Sequence, residues 1–312
     1  MYKCLIVDEL HENIHPLLKN IGVEVSYCPQ YQRNEIIEHL RGMDGLIIRS
    51  KTTVDEELLQ YADKLKFVAR AGAGIDNLDQ YYLESKNINI LNAPEGNRDA
   101  VAEHVIGLIL NLSNNISRSN QEVKKGRWNR ESNRGFELNS KTIGLIGYGN
   151  MGKALASKLS VFDCNIIAYD KYKTGFADTH CKEVSLQQLF QETDILSLHT
   201  PLTNETNGMV NKNFFECFRK NIIFINTARG EISPLSDLVQ CLQSGKISAA
   251  GLDVLESEKL NKLTKAQKEC FDILSSNNNV ILTPHVAGWS AESYKKINEV
   301  LVNKIKKVLL SN

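Results

Sequence analysis

The sequence has no paired cysteine motif, no long apolar run and no excess of either charge, and each absence removes a class of function. Its seven cysteines (Cys4, Cys28, Cys164, Cys181, Cys217, Cys241 and Cys270) form no CxxC and stand at no zinc spacing with histidine. No metal site and no disulfide framework are expected, and reduced thiols in a cytoplasmic protein are. No apolar stretch reaches the ~20 residues a membrane helix requires. Lys3-Cys4-Leu5-Ile6-Val7-Asp8 reads as a strand, not as a secretory signal. Lys plus Arg equals Asp plus Glu at 37 each, so net charge steers the chain to neither nucleic acid nor membrane. What remains is an ordinary globular composition, with 42% hydrophobic residues in 312, a length that suits two domains.

The first 95 residues alternate short apolar runs with amphipathic stretches. Strands are expected at 3–7, 23–27, 44–48, 66–70 and 88–91, with helices between them at 34–41 and 54–62. Such alternation is that of a parallel sheet wound with helices. The turn-rich Asn92-Ala93-Pro94-Glu95-Gly96-Asn97 closes this unit. One long helix is expected from Asp99 to about Lys125, followed by a polar, exposed arm over 126–140. A second alternation then places six strands near 142–146, 164–169, 195–198, 222–226, 247–252 and 279–283. The amphipathic segment from Ala291 to Leu310 needs another surface to cover and is expected to return to the first unit. The expected division is therefore 1–97 plus 290–312, and 98–289.

The strongest local motif is Gly147-Tyr148-Gly149-Asn150-Met151-Gly152, a GxGxxG directly after the apolar run Thr142–Ile146 and at the head of a helical pattern. Gly147 permits a tight turn, Gly149 lets backbone approach a pyrophosphate, and Gly152 allows close helix–strand packing. Alone the motif is weak, since glycine clusters are often only turns. The next expected strand ends in Asp170, 18 residues past Gly152, where a carboxylate can bind both ribose hydroxyls and repel a 2′-phosphate. NAD is favoured over NADP, although Lys171 and Lys173 could partly offset the repulsion.

Three expected strands end in reactive residues: Asn226-Thr227-Ala228-Arg229-Gly230, Asp253 through Glu258, and Thr283-Pro284-His285. In open α/β sheets ligands sit beyond the carboxyl ends of the strands. Read singly, Arg229 is a surface ion-pair partner, Glu258 a solvated loop charge and His285 a capping residue. Together, in a chain that carries a dinucleotide fingerprint, they point to chemistry.

Over nearly its whole length the chain resembles the D-isomer-specific 2-hydroxyacid dehydrogenases, and among them the 3-phosphoglycerate dehydrogenases of serine biosynthesis. The resemblance runs through Arg49-Ser50, Arg70 to Asp76, Asn92 to Asn97, Ala102-Glu103, the GYGNMG loop, His199-Thr200-Pro201-Leu202, Asn226 to Gly230, Leu252-Asp253-Val254 and Pro284-His285. It implies an α/β fold of two doubly wound parallel-sheet domains, a Rossmann NAD-binding domain and a flavodoxin-like substrate domain, with the active site in the cleft between them. It implies Arg229 on the substrate carboxylate and C2 oxygen, His285 as acid–base, and Glu258 as its carboxylate partner, with Glu256 the fallback. The cofactor contacts it implies are Gly147 to Gly152, Asp170, His199, Thr200, Pro201, Thr227, Ala228, Asp253, His285 and Gly288; His199 has no proton-transfer role. His104 reads as a packed helix-face residue. A homodimer through the NAD-binding domain is implied, with Arg130 of the arm reaching toward the partner's site.

The resemblance further implies that Ala73 and Gly74 cradle the substrate carboxylate. Arg49, Ser50 and Asn97 would meet a substrate phosphate, with Lys51 adding charge. Two departures stand out. Val286-Ala287-Gly288-Trp289-Ser290 carries a tryptophan where phosphoglycerate dehydrogenases have small residues, which would reshape the pocket, and a sequence ending at Asn312 is expected to lack a C-terminal regulatory domain. A glyoxylate, hydroxypyruvate or D-lactate reductase is the alternative enzyme. An NAD(H)-sensing corepressor is the alternative of another class. Formate dehydrogenases are disfavoured, because their histidine is paired with glutamine.

Overall fold

The computed structural model describes residues 1–310; residues 311 and 312, the end of the segment expected at 290–312, lie outside the described part. The chain divides into two compact units, one of Met1–Arg98 with the chain from Trp289 onward, the other of Asp99–Gly288.

In the first unit the strands β1 (Tyr2–Ile6), β2 (Val23–Tyr27), β3 (Gly45–Ile48), β4 (Phe67–Arg70) and β5 (Asn89–Asn92) pair in parallel. Their order is β2-β1-β3-β4-β5, that of a flavodoxin-like sheet. The period-two alternation of a strand sends Cys4 and Ile6 to one face and Leu5 and Val7 to the other, and helices cover both. Ile14 and Leu18 of the helix Ile14–Asn20 cover the first face, joined by Ile297, Leu301, Ile305 and Leu309 of the helix Ala291–Leu310. Ile36, Ile37, Leu40 and Leu83 cover the second.

The second unit holds β6 (Thr142–Ile146), β7 (Asn165–Tyr169), β8 (Lys182–Glu183), β9 (Ile195–Leu198), β10 (Ile222–Asn226), β11 (Ile247–Leu252) and β12 (Val280–Leu282). They form one parallel sheet in the order β12-β11-β10-β9-β6-β7-β8. Counted within the unit this is the doubly wound order 3-2-1-4-5-6 with a seventh strand beside the sixth. The sequence reading expects six strands and passes over β8. That strand is two residues on the sheet edge beside Ile167 and Ala168, too short to show any alternation.

Two helical expectations are corrected. Residues 56–61 form consecutive turns and Val54 makes an isolated bridge to Leu78, while the Asp55 carboxylate takes the Leu58 N–H at 2.9 Å and pairs with Arg33, which also holds Glu57. The long helix starts earlier and breaks: it runs Pro94–Ser113, then Ile116–Lys124, with Asn115 left-handed at φ +52°. Asn111 secures the restart, its side chain bonding Ser117 N and Oγ, each at 2.8 Å. The 126–140 arm is tied to its own unit as well as exposed. The Phe136 N–H donates to Ser113 O at 3.0 Å, Asn133 donates to Glu122 at 2.7 Å, and Leu138 is buried, while Trp128 is 78% exposed.

The C-terminal helix is a structural part of the first unit, and stability measures this. Leu301→Ala, at a fully buried position, is expected to lower unfolding free energy by roughly 2–5 kcal/mol in urea titration. Leu310→Ala, at an exposed position of the same helix, should change it by about 0.5 kcal/mol or less.

Candidate active site

The parallel register brings the reactive segments of the second unit to one edge. Asn226 pairs with Leu252 and Leu252 with Leu282, so the chains leaving β10, β11 and β12 emerge side by side. The first is shaped by Asn226, buried at 2% exposure, whose side chain accepts from Ala228 N and donates to Arg229 O, both at 3.0 Å. Arg229 follows in extended conformation, its Nη1 donating to Ala228 O at 2.6 Å. A Cβ on Gly230 would stand 2.0 Å from the Leu255 carbonyl carbon, so only glycine lets this loop lie against the one leaving β11.

The loop after β12 is held by Asp253. Its buried carboxylate accepts from Thr283 Oγ1 at 2.6 Å, Val286 N at 2.9 Å and Ala287 N at 2.8 Å, and its carbonyl accepts from His285 N at 2.8 Å. His285 is thereby kept at φ +55°, a left-handed conformation that costs a non-glycine residue about 1–2 kcal/mol. Charge-assisted bonds of about 1.5–3 kcal/mol each outweigh that strain. The result aims the ring: Nδ1 lies 2.8 and 3.1 Å from the two oxygens of Glu258. Both side chains are about half exposed, at 46% and 50%. Nε2 is left as the imidazole's second proton site. The spacing alone left Glu256 in play. Its carboxylate instead takes Leu235 N at 3.1 Å, at the start of the helix Leu235–Gln243.

Asp253, expected among the cofactor contacts, has no exposed side-chain surface, and its carboxylate holds the loop. His104, read as a packed helix residue, joins it: Nε2 lies 3.0 Å from Thr283 Oγ1 and 3.6 Å from Asp253. No motif flagged that contact, because it links residues 179 apart in sequence.

The glycine loop fits a dinucleotide. Gly147 has φ +93° and packs on the His199 carbonyl, and a Cβ on Gly152 would meet Gly147 O at 2.4 Å. Gly149 has open space instead, its nearest would-be contact being Lys173 Nζ at 3.8 Å, so the backbone ahead of the helix Asn150–Leu159 is bare for a phosphate. Thr200 Oγ1 and Thr227 Oγ1, at the ends of β9 and β10, are buried without a protein partner, as polar atoms awaiting a ligand are. Asp170 accepts from Tyr148 N at 2.9 Å and Tyr172 N at 3.0 Å, one bond per oxygen, which leaves lone pairs for ribose hydroxyls. Lys171 is paired with Glu205 at 2.7 Å, and Lys173 donates to Tyr148 O at 3.2 Å. The Tyr148 ring is buried on Phe176 and its hydroxyl donates to Asp178 at 2.8 Å, so it is the backbone of this residue that lines the loop. Burial pushes the His199 pKa down to about 4, so this imidazole stays neutral against Ser197.

In the first unit the same logic gathers the other candidates. Ile48, Arg70 and Asn92 are in register at the ends of β3, β4 and β5. Arg49 N donates to the buried Asp8, whose carboxyl is pushed up chiefly by burial. Arg70, to which the sequence alone assigns no role, donates from Nε to Arg49 O at 3.1 Å. The position of a Cβ on Gly72 is taken by the Arg70 guanidinium, 1.8 Å away. Ala73 and Gly74 follow on this turn, anchored by Asn92 Nδ2 donating to Ala73 O at 2.6 Å. Asn97 Oδ1 is buried and unpartnered. Lys51 also clamps a loop, its Nζ donating to Pro29 O at 2.6 Å and Tyr31 O at 3.1 Å.

The family model described as D-isomer specific 2-hydroxyacid dehydrogenase, NAD binding domain, matches residues 106–287. Over 99% of its length the chain is 34% identical to a D-3-phosphoglycerate dehydrogenase of Methanocaldococcus jannaschii, but spans only 58% of that protein. It is 35% identical to a hydroxypyruvate reductase of Thermotoga maritima, covering 99% of this chain and 98% of that one. A D-lactate dehydrogenase of Aquifex aeolicus, solved with NAD and lactic acid, superposes with TM-score 0.83 at 26% identity, covering 99% and 96% of the two chains.

The packing of Gly152 makes the cofactor loop testable. Gly152→Ala places a methyl group against the Gly147 carbonyl and is expected to weaken NADH binding at least ~10-fold in a fluorescence titration. Unchanged affinity would show that NADH binds elsewhere.

Proposed function

The chain belongs to the D-isomer specific 2-hydroxyacid dehydrogenase family, and we propose that it interconverts a D-2-hydroxy acid and its 2-oxo acid with NAD. The observation that carries this reading is the His285–Glu258 pair, 2.8 Å apart, on the sheet edge that also bears Arg229. Bound NAD supplies the acceptor for the hydride that leaves C2. With Nδ1 engaged by Glu258, His285 takes the C2 hydroxyl proton on Nε2 in oxidation and returns it in reduction. Arg229 offers the carboxylate and C2 oxygen a planar, permanently charged fork. Asp170 reads the ribose, and Asp99–Gly288 is the NAD-binding unit, the other being the substrate unit.

For the substrate we favour 3-phosphoglycerate and 3-phosphohydroxypyruvate, with Arg49, Ser50 and Asn97 meeting the phosphate and Ala73 and Gly74 the carboxylate. A second reading has a specific support: the relative that this chain matches end to end is named a hydroxypyruvate reductase, and that name implies an acid without phosphate. We further propose a cytoplasmic homodimer through the second unit, where no residue of the helix Ile116–Lys124 is buried and Trp128 stands exposed; all seven cysteines are free thiols.

NADH oxidation with 3-phosphohydroxypyruvate, hydroxypyruvate, glyoxylate, pyruvate and 2-oxoglutarate separates these readings, with the first expected to give the highest kcat/KM. A higher value for hydroxypyruvate would favour the second. NAD should exceed NADP at least ~10-fold in kcat/KM, and equal use would refute the role of Asp170.

His285→Ala is expected to lower kcat by roughly 10²- to 10⁴-fold with NADH binding retained. Glu258→Ala removes the acceptor that holds the Nδ1 side of the ring and is expected to lower kcat by roughly 10²-fold, the scale of a misplaced catalytic group, with NADH binding retained. An unchanged kcat would rule out the assigned role of Glu258.

A further inference from the structure

The Arg49 guanidinium is seated over an aromatic ring. Its Cζ is 3.7 Å from the Trp289 ring centroid and 5.6 Å from that of Tyr294. Among the described residues no protein group accepts a hydrogen bond from its Nε or Nη atoms. Stacking engages only the π faces of a guanidinium; the N–H donors lie in its plane and point outward from its edge. A stacked guanidinium is therefore fixed in orientation while its hydrogen-bonding capacity stays whole.

The support behind the stack is ordered. Tyr294 meets Trp289 at 5.1 Å between centroids and is met edge-on by His11 at 5.6 Å. Ser290 and Ser293 exchange side-chain bonds to each other's N–H at 2.9 and 3.0 Å, pinning the chain on which both rings sit. At the other end, the Arg49 N–H is held by Asp8 and its carbonyl by Arg70 and Asn77. A long flexible side chain is thus restrained at its root and at its tip. It stands just past the carboxyl end of β3, where ligands of such sheets lie. Ser50 beside it carries a hydroxyl that accepts from Arg70 at 3.5 Å and keeps its own proton to donate.

We propose that Trp289, backed by Tyr294, is a specificity-determining residue: it presents the edge of Arg49 to an anionic group carried on the C3 side of the 2-oxo acid, and so selects such substrates over acids that lack one. This rests on the reaction class proposed above and deepens it, since the tryptophan becomes a support for the anion site in place of a plug that narrows it. Trp289 is a positioning residue acting through Arg49. Its effect belongs to the ratio between substrates.

The test is the ratio of kcat/KM for 3-phosphohydroxypyruvate to that for glyoxylate, which has no C3. A cation–π contact at a partly exposed site is worth roughly 2- to 30-fold. Trp289→Ala is expected to lower the ratio by an amount in that range, mainly through KM for the phosphorylated acid, and Trp289→Phe, which keeps an aromatic face, to recover most of it. General damage to folding or cofactor binding lowers both numbers and leaves the ratio in place. A wild type that prefers 3-phosphohydroxypyruvate, with the ratio unmoved in Trp289→Ala, overturns this inference and leaves the proposed function standing. A wild type with no such preference overturns the inference together with the phosphate assignment. A wild type that reduces no 2-oxo acid overturns the reaction class itself.

Discussion

The buried carboxylate of Asp253 is the constraint on which the candidate chemistry depends. Three donors from one loop converge on it, and the adjacent carbonyl takes a fourth, from His285 itself. That convergence keeps a histidine in left-handed backbone geometry, and the geometry brings its Nδ1 to Glu258. A carboxylate removed from water without partners would be costly, and these donors are what make its burial tolerable. The same bonds that solvate Asp253 therefore set the direction of the imidazole. His104 extends the clamp through Thr283 to the long helix at the start of the second unit.

Around that clamp, the parallel sheet does the positioning. In-register pairing of β10, β11 and β12 delivers Arg229, Glu258 and His285 to one edge without any of them being near in sequence. In the first unit β3, β4 and β5 do the same for Arg49, the Arg70 turn and the helix that begins with Pro94. In both cases a glycine permits the close approach: Gly230 under Leu255, and Gly72 under the Arg70 guanidinium. Function is carried by loops and rigidity by the strands beneath them.

The longer strands were legible because each is an apolar run bounded by turn residues, which fixes both type and limits within a residue or two. β8 was not, because two residues carry no period. The break at Asn115 was hidden for a different reason: it depends on the Asn111 side chain, which bonds Ser117 and overrides an amphipathic pattern that remains visible in the sequence. At the site, residue types were legible and partnerships were not. Glu256 and Glu258 are both acidic and two positions apart, and only the helix start at Leu235, which claims Glu256, separates their uses. Lys51 and Arg49 look like equivalent cations in the sequence, yet one clamps a loop and the other lies on Trp289.

If Asp253 acts through the His285 loop, the single-turnover rate of NADH oxidation in Asp253→Asn, with saturating NADH and 2-oxo acid, registers it. Asparagine keeps the shape but loses the charge, and one oxygen acceptor becomes a donor facing N–H groups. A rate lowered by about 10²-fold, the scale of a misplaced catalytic group, is expected. A rate equal to that of the unaltered protein would contradict it.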